Sequence, residues 1–149
     1  MLTQEMKKIV TDHSAGMVAT VDEAGRPVVS PKATFVIVDD ATIAFGNIRS
    51  PGTLANIAVR PQIEICFIDV LTRKALRVTG SARVVEKSAA SVKMAKAFEA
   101  GWGDYLELIT VYVEIAISDV EIILSPAYDA GHTETELRMA NLAHLQGLS

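Results

Sequence analysis

"GMVATVDEAGRPVVSPKATFVIVDDATIAFG", residues 16–46, decides the fold. Val, Ile, Thr and Phe recur through it in short runs separated by turn chemistry, which predicts three strands. "DEAGR" (22–26) is the first turn, with Gly25 supplying the left-handed position, and Asp39-Asp40 is the second. Links this short can join only antiparallel neighbours.

Working outward, Leu2, Met6, Ile9 and Val10 recur at helical spacing, so residues 2–12 read as an amphipathic helix. Residues 50–59 form a short helix. "QIEICFID" (62–69) and "KALRVTGSARVVE" (74–86) are two more strands, joined through "VLTR". "SAASVKMAKAFEA" (88–100) is an Ala-rich helix ended by "GWGD", and "LELITVYVEIAISDVEIILS" (106–125) gives one long strand and one short one. In "HTETELRMANLAHL" (132–145), Thr133 and Glu136 have capping-box spacing, which starts a last helix near 133. The order predicts a mainly antiparallel sheet of six or seven strands, closed or half closed into a barrel and flanked by helices. All 149 residues form one domain, with 125–149 a C-terminal loop and helix.

Half of the chain is apolar and its net charge is −4, with no Lys/Arg-rich run. General nucleic-acid binding, which needs a basic surface, is excluded. The single Cys66 lies in an apolar strand and reads as a small core residue. One cysteine allows no intrachain disulfide, which fits a reducing cytoplasm. "MLTQEMKKIV" lacks the marks of a signal peptide, and no apolar run is long enough for a membrane helix, so a cytoplasmic location is expected. His13, His132 and His144 are scattered, which predicts no metal site. No nucleophile elbow or convincing carboxylate pair is present.

Strand alternation then sorts the side chains. In residues 28–38 the odd positions Val29, Pro31, Ala33, Phe35 and Ile37 are apolar and are expected to face the core. Ser30, Lys32 and Thr34 lie on the other face. In residues 74–85, Leu76, Val78, Gly80, Ala82 and Val84 form the core face, opposite Arg77, Thr79, Ser81 and Arg83. Each polar face carries cations, a pattern that a solvated barrel side would also give.

"FGNIRSPGTLAN" (45–56) adds a helix start. Ser50 is expected to cap, and Pro51 fits the first helical position. The N–H groups of Gly52 and Thr53, the Ser50 and Thr53 hydroxyls and the helix dipole favour an anion. Arg49 stands where a guanidinium could grip phosphate oxygens, and Gly46 lets a ligand approach.

With these segments in order, the chain resembles the FMN-binding split barrels related to pyridoxamine 5′-phosphate oxidase over roughly residues 5–124. "GMVATVDEAGRPVVSPKATFV", "AFGN", "RSPGTLANIAVRP", "IEICFID" and "LRVTGSARVV" carry the likeness. The resemblance implies a six-stranded antiparallel split barrel and a homodimer with FMN at its interface. It implies Ser30, Pro31 and Lys32 along the flavin, with Lys32 the cation near its pyrimidine edge. It places Phe45, Gly46 and Asn47 beside the ring and ribityl chain, Arg49, Ser50, Gly52 and Thr53 at the phosphate, and Arg77 or Thr79 at the same groove. The family's oxidases carry an Arg where Pro27 stands and an Arg-Lys pair near Gly52-Thr53, and their basic C-terminal substrate segment is not recognisable here. A small flavin-dependent oxidoreductase is therefore expected, with a small-molecule electron donor or acceptor, rather than pyridoxal-phosphate synthesis. The alternatives are a non-catalytic electron carrier, or a split barrel using deazaflavin F420 or haem.

Overall fold

The computed structural model describes all residues, 1–149. Its helices are α1 (Gln4–Asp12), α2 (Pro51–Val59), α3 (Val92–Trp102) and α4 (Glu134–Gly147). Its strands are β1 (Gly16–Val21), β2 (Pro27–Lys32), β3 (Phe35–Asp39), β4 (Thr42–Asn47), β5 (Gln62–Asp69), β6 (Lys74–Glu86) and β7 (Val111–Leu124). They form one seven-stranded sheet in the order β2-β1-β5-β6-β7-β4-β3, with every pairing antiparallel. The sheet curls without closing, because β2 and β3 are free edges. Seven strands thus stand where the family resemblance implies six.

Two apolar clusters hold it together. Inside the curl, Val18, Phe35, Ile43, Phe45, Ile65, Phe67, Leu76 and Ile115 pack with Ile9 and Val10 of α1 and Ile57 of α2. Burial removes these side chains from water, the main favourable term in folding. On the outer surface, Met94 and Phe98 of α3 cover Val36, Val38, Ala44, Val85, Ile109 and Tyr112. The Phe98 and Tyr112 rings stack at 4.0 Å.

Four sequence expectations change here. Residues 28–38 are two strands, broken at Ala33–Thr34, where the Thr34 hydroxyl donates to the Gly46 carbonyl at 2.6 Å. The break reverses parity: Phe35 is buried in the core, but Val29 is 62 % exposed and Val28, Ser30 and Lys32 form the half-buried face. Residues 111–124 are one strand, not two, because a bulge at Ser118 lets β7 keep pairing with β6 on both sides. Cys66 faces outward from β5 and is exposed, since the inner positions of that strand are Ile63, Ile65 and Phe67.

Gly25 has φ +79° as the first turn requires, and Asp22 closes that turn by accepting from the Ala24 and Arg26 amides, both at 2.9 Å. The C-terminal segment docks on the β5–β6 turn. Asn141 Nδ2 donates to the Leu71 carbonyl at 2.8 Å, Tyr128 OH to that of Thr72 at 2.6 Å, and the Ser125 amide to that of Arg73 at 3.1 Å. No helix is long and apolar enough to cross a membrane.

Candidate functional site

β2 and α2 form the walls of a groove of about 460 Å³ lined by Ser30, Lys32, Arg49, Gly52, Thr53 and Asn56, among others. Two cross-contacts fix its direction. At one end the Lys32 ammonium touches the Ser50 hydroxyl. At the other, Asn56 Nδ2 donates to Thr20 Oγ1 at 3.0 Å, and Thr20 pairs with Val28. The walls therefore run antiparallel, and the β2 wall from Val28 to Lys32 is about 13 Å long at the usual rise of a strand. Past Lys32 and Ser50, a second depression continues along Ala33 and Thr34 to Gly46 and Ile48.

The electrostatics of the Lys32 end are those of an anion site. Neither Lys32 nor Arg49 has a carboxylate partner, although most other cations of the chain are paired with acids. Burial holds the Lys32 ammonium below the ordinary lysine range. The Gly52 and Thr53 amides, the first free N–H groups of α2, donate to nothing within the chain; the Leu54 amide is the first to bond back, to the Ser50 carbonyl at 3.2 Å. A Cβ built on Gly52 would meet nothing within 4 Å, so the space before these amides is open. Ser50 makes no side-chain cap bond, contrary to expectation; its hydroxyl oxygen accepts from Lys32 instead.

The structure thus brings Ser30, Pro31, Lys32, Arg49, Ser50, Gly52 and Thr53 to one groove and Gly46 to its continuation. Three other residues lie elsewhere. Phe45 is fully buried in the barrel core, where its ring packs edge-on to Phe35. Asn47 is 5 % exposed; its Nδ2 donates to Thr110 Oγ1 at 3.3 Å and its Oδ1 is a buried acceptor without a donor. Arg77 is on the outer sheet face, bonded to Glu121 Oε2 at 3.0 Å. Asp22, Val28 and Asn56 line the groove and were not anticipated. The strand parity that hid Val28 is the one the Ala33–Thr34 break reverses.

The residues present fit a phosphorylated flavin at this groove. Two unpaired cations, two free amides and the open space before Gly52 complement a phosphate, and the depression beside Gly46 leaves room for the attached group.

The sequence model of the family described as pyridoxamine 5′-phosphate oxidase matches residues 2–124. The chain belongs to that family. Among solved structures, it is similar to HupZ of Group A Streptococcus, with 29 % identity and a TM-score of 0.71 over 84 % of this chain and 96 % of that one. It shares its fold with a candidate pyridoxamine 5′-phosphate oxidase from Lactobacillus delbrueckii (22 % identity, TM-score 0.66, 80 % of this chain and 93 % of that one). It shares it also with an FMN-binding protein from Syntrophomonas wolfei (11 % identity, TM-score 0.63, 80 % and 84 %). No curated protein matches the sequence.

Proposed function

We propose that this chain binds FMN in the β2–α2 groove and works as a small oxidoreductase. The observation that carries the reading is the convergence of Lys32, Arg49 and the free Gly52 and Thr53 amides on one open groove. Bound FMN would supply the hydride or electron transfer. The chain's own residues would do the rest. Arg49 and the two amides hold the phosphate, and Lys32 adds positive charge at the same end of the groove, where burial strengthens its field. Ser30 lines the same wall and can bond to polar groups of the ligand.

The reading includes a homodimer. The chain exposes 8542 Å², whereas a compact monomer of this mass exposes about 7,400 Å². The excess is of the order that one partner loses in a standard interface. Met17, Val29 and Ile68 project from the outer face of β1, β2 and β5, which no helix covers, and supply an apolar surface for a second copy.

The test is a visible spectrum of the purified protein before and after incubation with FMN and desalting. Flavin bands that survive desalting support the reading. A colourless protein that does not retain added FMN overturns it. Light scattering of the same sample tests the dimer.

A further inference from the structure

β2 and β3 are the two free edges of the sheet, yet only Ala33 and Thr34 separate them along the chain. The curl brings the two edges together there, and Thr34 ties the junction to the end of β4. The Gly46 amide donates to the Thr34 carbonyl at 3.1 Å. In a regular antiparallel pair the Thr34 amide would answer by donating to the Gly46 carbonyl. That amide makes no bond within the chain, and the Thr34 hydroxyl takes its place at 2.6 Å. Both residues are buried, so the carbonyl needs this donor. Lys32 lies two residues before Thr34, and Arg49 and Ser50 lie three and four residues after Gly46. Asn56 and Arg60 hold the far end of α2 to β1, through Thr20 and the Val21 carbonyl. Between its near end and β2, the hydrogen bonds are the Thr34–Gly46 tie and the Lys32–Ser50 contact.

We infer that Thr34 is a positioning residue: its hydroxyl holds the break that turns Lys32 into the groove, toward Ser50. This rests on the reading of the groove as an anion site. The hydroxyl lets the strand break at Ala33–Thr34 while the Gly46 carbonyl stays satisfied. Without it, the donor left for that carbonyl is the Thr34 amide. Turning this amide to Gly46 adds a regular pair to the β3–β4 ladder and straightens the break. The parity of the residues ahead of it changes with it, and Lys32 leaves the half-buried face for solvent. The other charged side chains of the groove, Arg49 and Asp22, do not lie on β2.

The experiment titrates Lys32 by NMR of the ligand-free protein labelled with 13C-lysine, and measures FMN affinity on the same samples. The proteins are the wild type, Thr34→Val, which keeps the shape and removes the donor, and Thr34→Ser, which keeps the donor; Lys32→Met assigns the signal. Lys32 of the wild type titrates below the ordinary lysine range, as its burial requires. Thr34→Val is expected to move that titration up to the range of exposed lysines and to weaken FMN about tenfold, and Thr34→Ser to leave both near wild type. On a Lys32→Met background, Thr34→Val should weaken FMN by less than about twofold, because the residue it acts through is gone. An unmoved Lys32 titration in Thr34→Val overturns the positioning role. So does a loss of FMN affinity that adds in full to that of Lys32→Met; the hydroxyl would then serve folding alone or touch the ligand itself. Should the valine variant not fold, Thr34→Cys, a weaker donor of similar size, is expected to give a smaller upward move, and no move overturns the inference. A wild type that binds no FMN overturns the cofactor reading, while the Lys32 titration still decides the role of Thr34.

Discussion

Lys32 reaches across the groove to Ser50, so the residue at the N-cap position of α2 spends its hydroxyl on a lysine rather than on the helix. An anion at this place would offer Lys32 a charged partner and release Ser50 to the Gly52 or Thr53 amide. Ser50→Ala therefore removes no existing cap. Its melting temperature should stay within about 2 °C of wild type, well short of the ~1 kcal/mol that a working cap supplies.

Lys32 makes binding depend on pH. Burial lowers its folded value, so the folded chain releases the proton before the unfolded chain does. Stability from this group therefore rises as pH climbs from the lowered value toward 10.5. Anion binding has the opposite sign: it is strongest with Lys32 charged and weakens as pH rises through the lowered value. Titrating FMN affinity upward from neutral pH should show this fall, and Lys32→Met should flatten it while weakening FMN about tenfold near neutrality.

Two glycines separate the site from the fold. A Cβ on Gly80 would stand 2.5 Å from the Ala116 carbonyl oxygen, a backbone atom beside the β7 bulge that cannot yield cheaply. Gly80→Ala should cost about 2 kcal/mol in urea denaturation. Gly52→Ala meets nothing, and should leave stability unchanged or raise it by less than about 1 kcal/mol. Its methyl enters the space before the free amides, so FMN binding should fall while riboflavin binding holds. Equal losses for both flavins would argue against a phosphate at this helix start.

The C-terminal segment is tied on by polar contacts. Tyr128→Phe removes a bond to the turn carbonyl of buried Thr72, and should cost about 1 kcal/mol in thermal unfolding. Glu134 adds an acid dependence. Its bonds to Lys74 and Arg138 hold its carboxyl below the ordinary 4.5. Their contribution is present above that value and is lost as pH falls through the lower folded one. Protection factors of the α4 amides, which correct for the intrinsic pH dependence of exchange, should fall on acidification past this point, and Glu134→Gln should remove the step.

Much of this was legible in the sequence where local chemistry and tertiary packing agree. The Gly25 turn, β5 and β6 over 62–69 and 74–86, α2 and the Thr133 cap of α4 stand where residue types place them. The Ala33–Thr34 break was not legible, because it coincides with a hydroxyl-to-carbonyl bond from Thr34 to Gly46 at the far end of the β3–β4 hairpin. With it went the parity of β2, since an edge strand wet on one side and grooved on the other gives alternation no sign. The Ser118 bulge was hidden for a similar reason: "SD" reads as a strand end until β6 is seen pairing past it. At the site, residue types at the helix start were readable, but the loss of the Ser50 cap to Lys32 depends on two segments meeting.

The free edge of β2 has a consequence for aggregation. A strand tolerates proline only where the missing donor would have pointed away from the ladder. Pro27 and Pro31 share parity and pair with β1 along a continuous register, so the solvent-facing edge is stripped of donors at both positions. A foreign strand approaching that edge finds acceptors but few donors, and cannot zip onto it. Open-ended growth by strand pairing at this edge is thereby disfavoured.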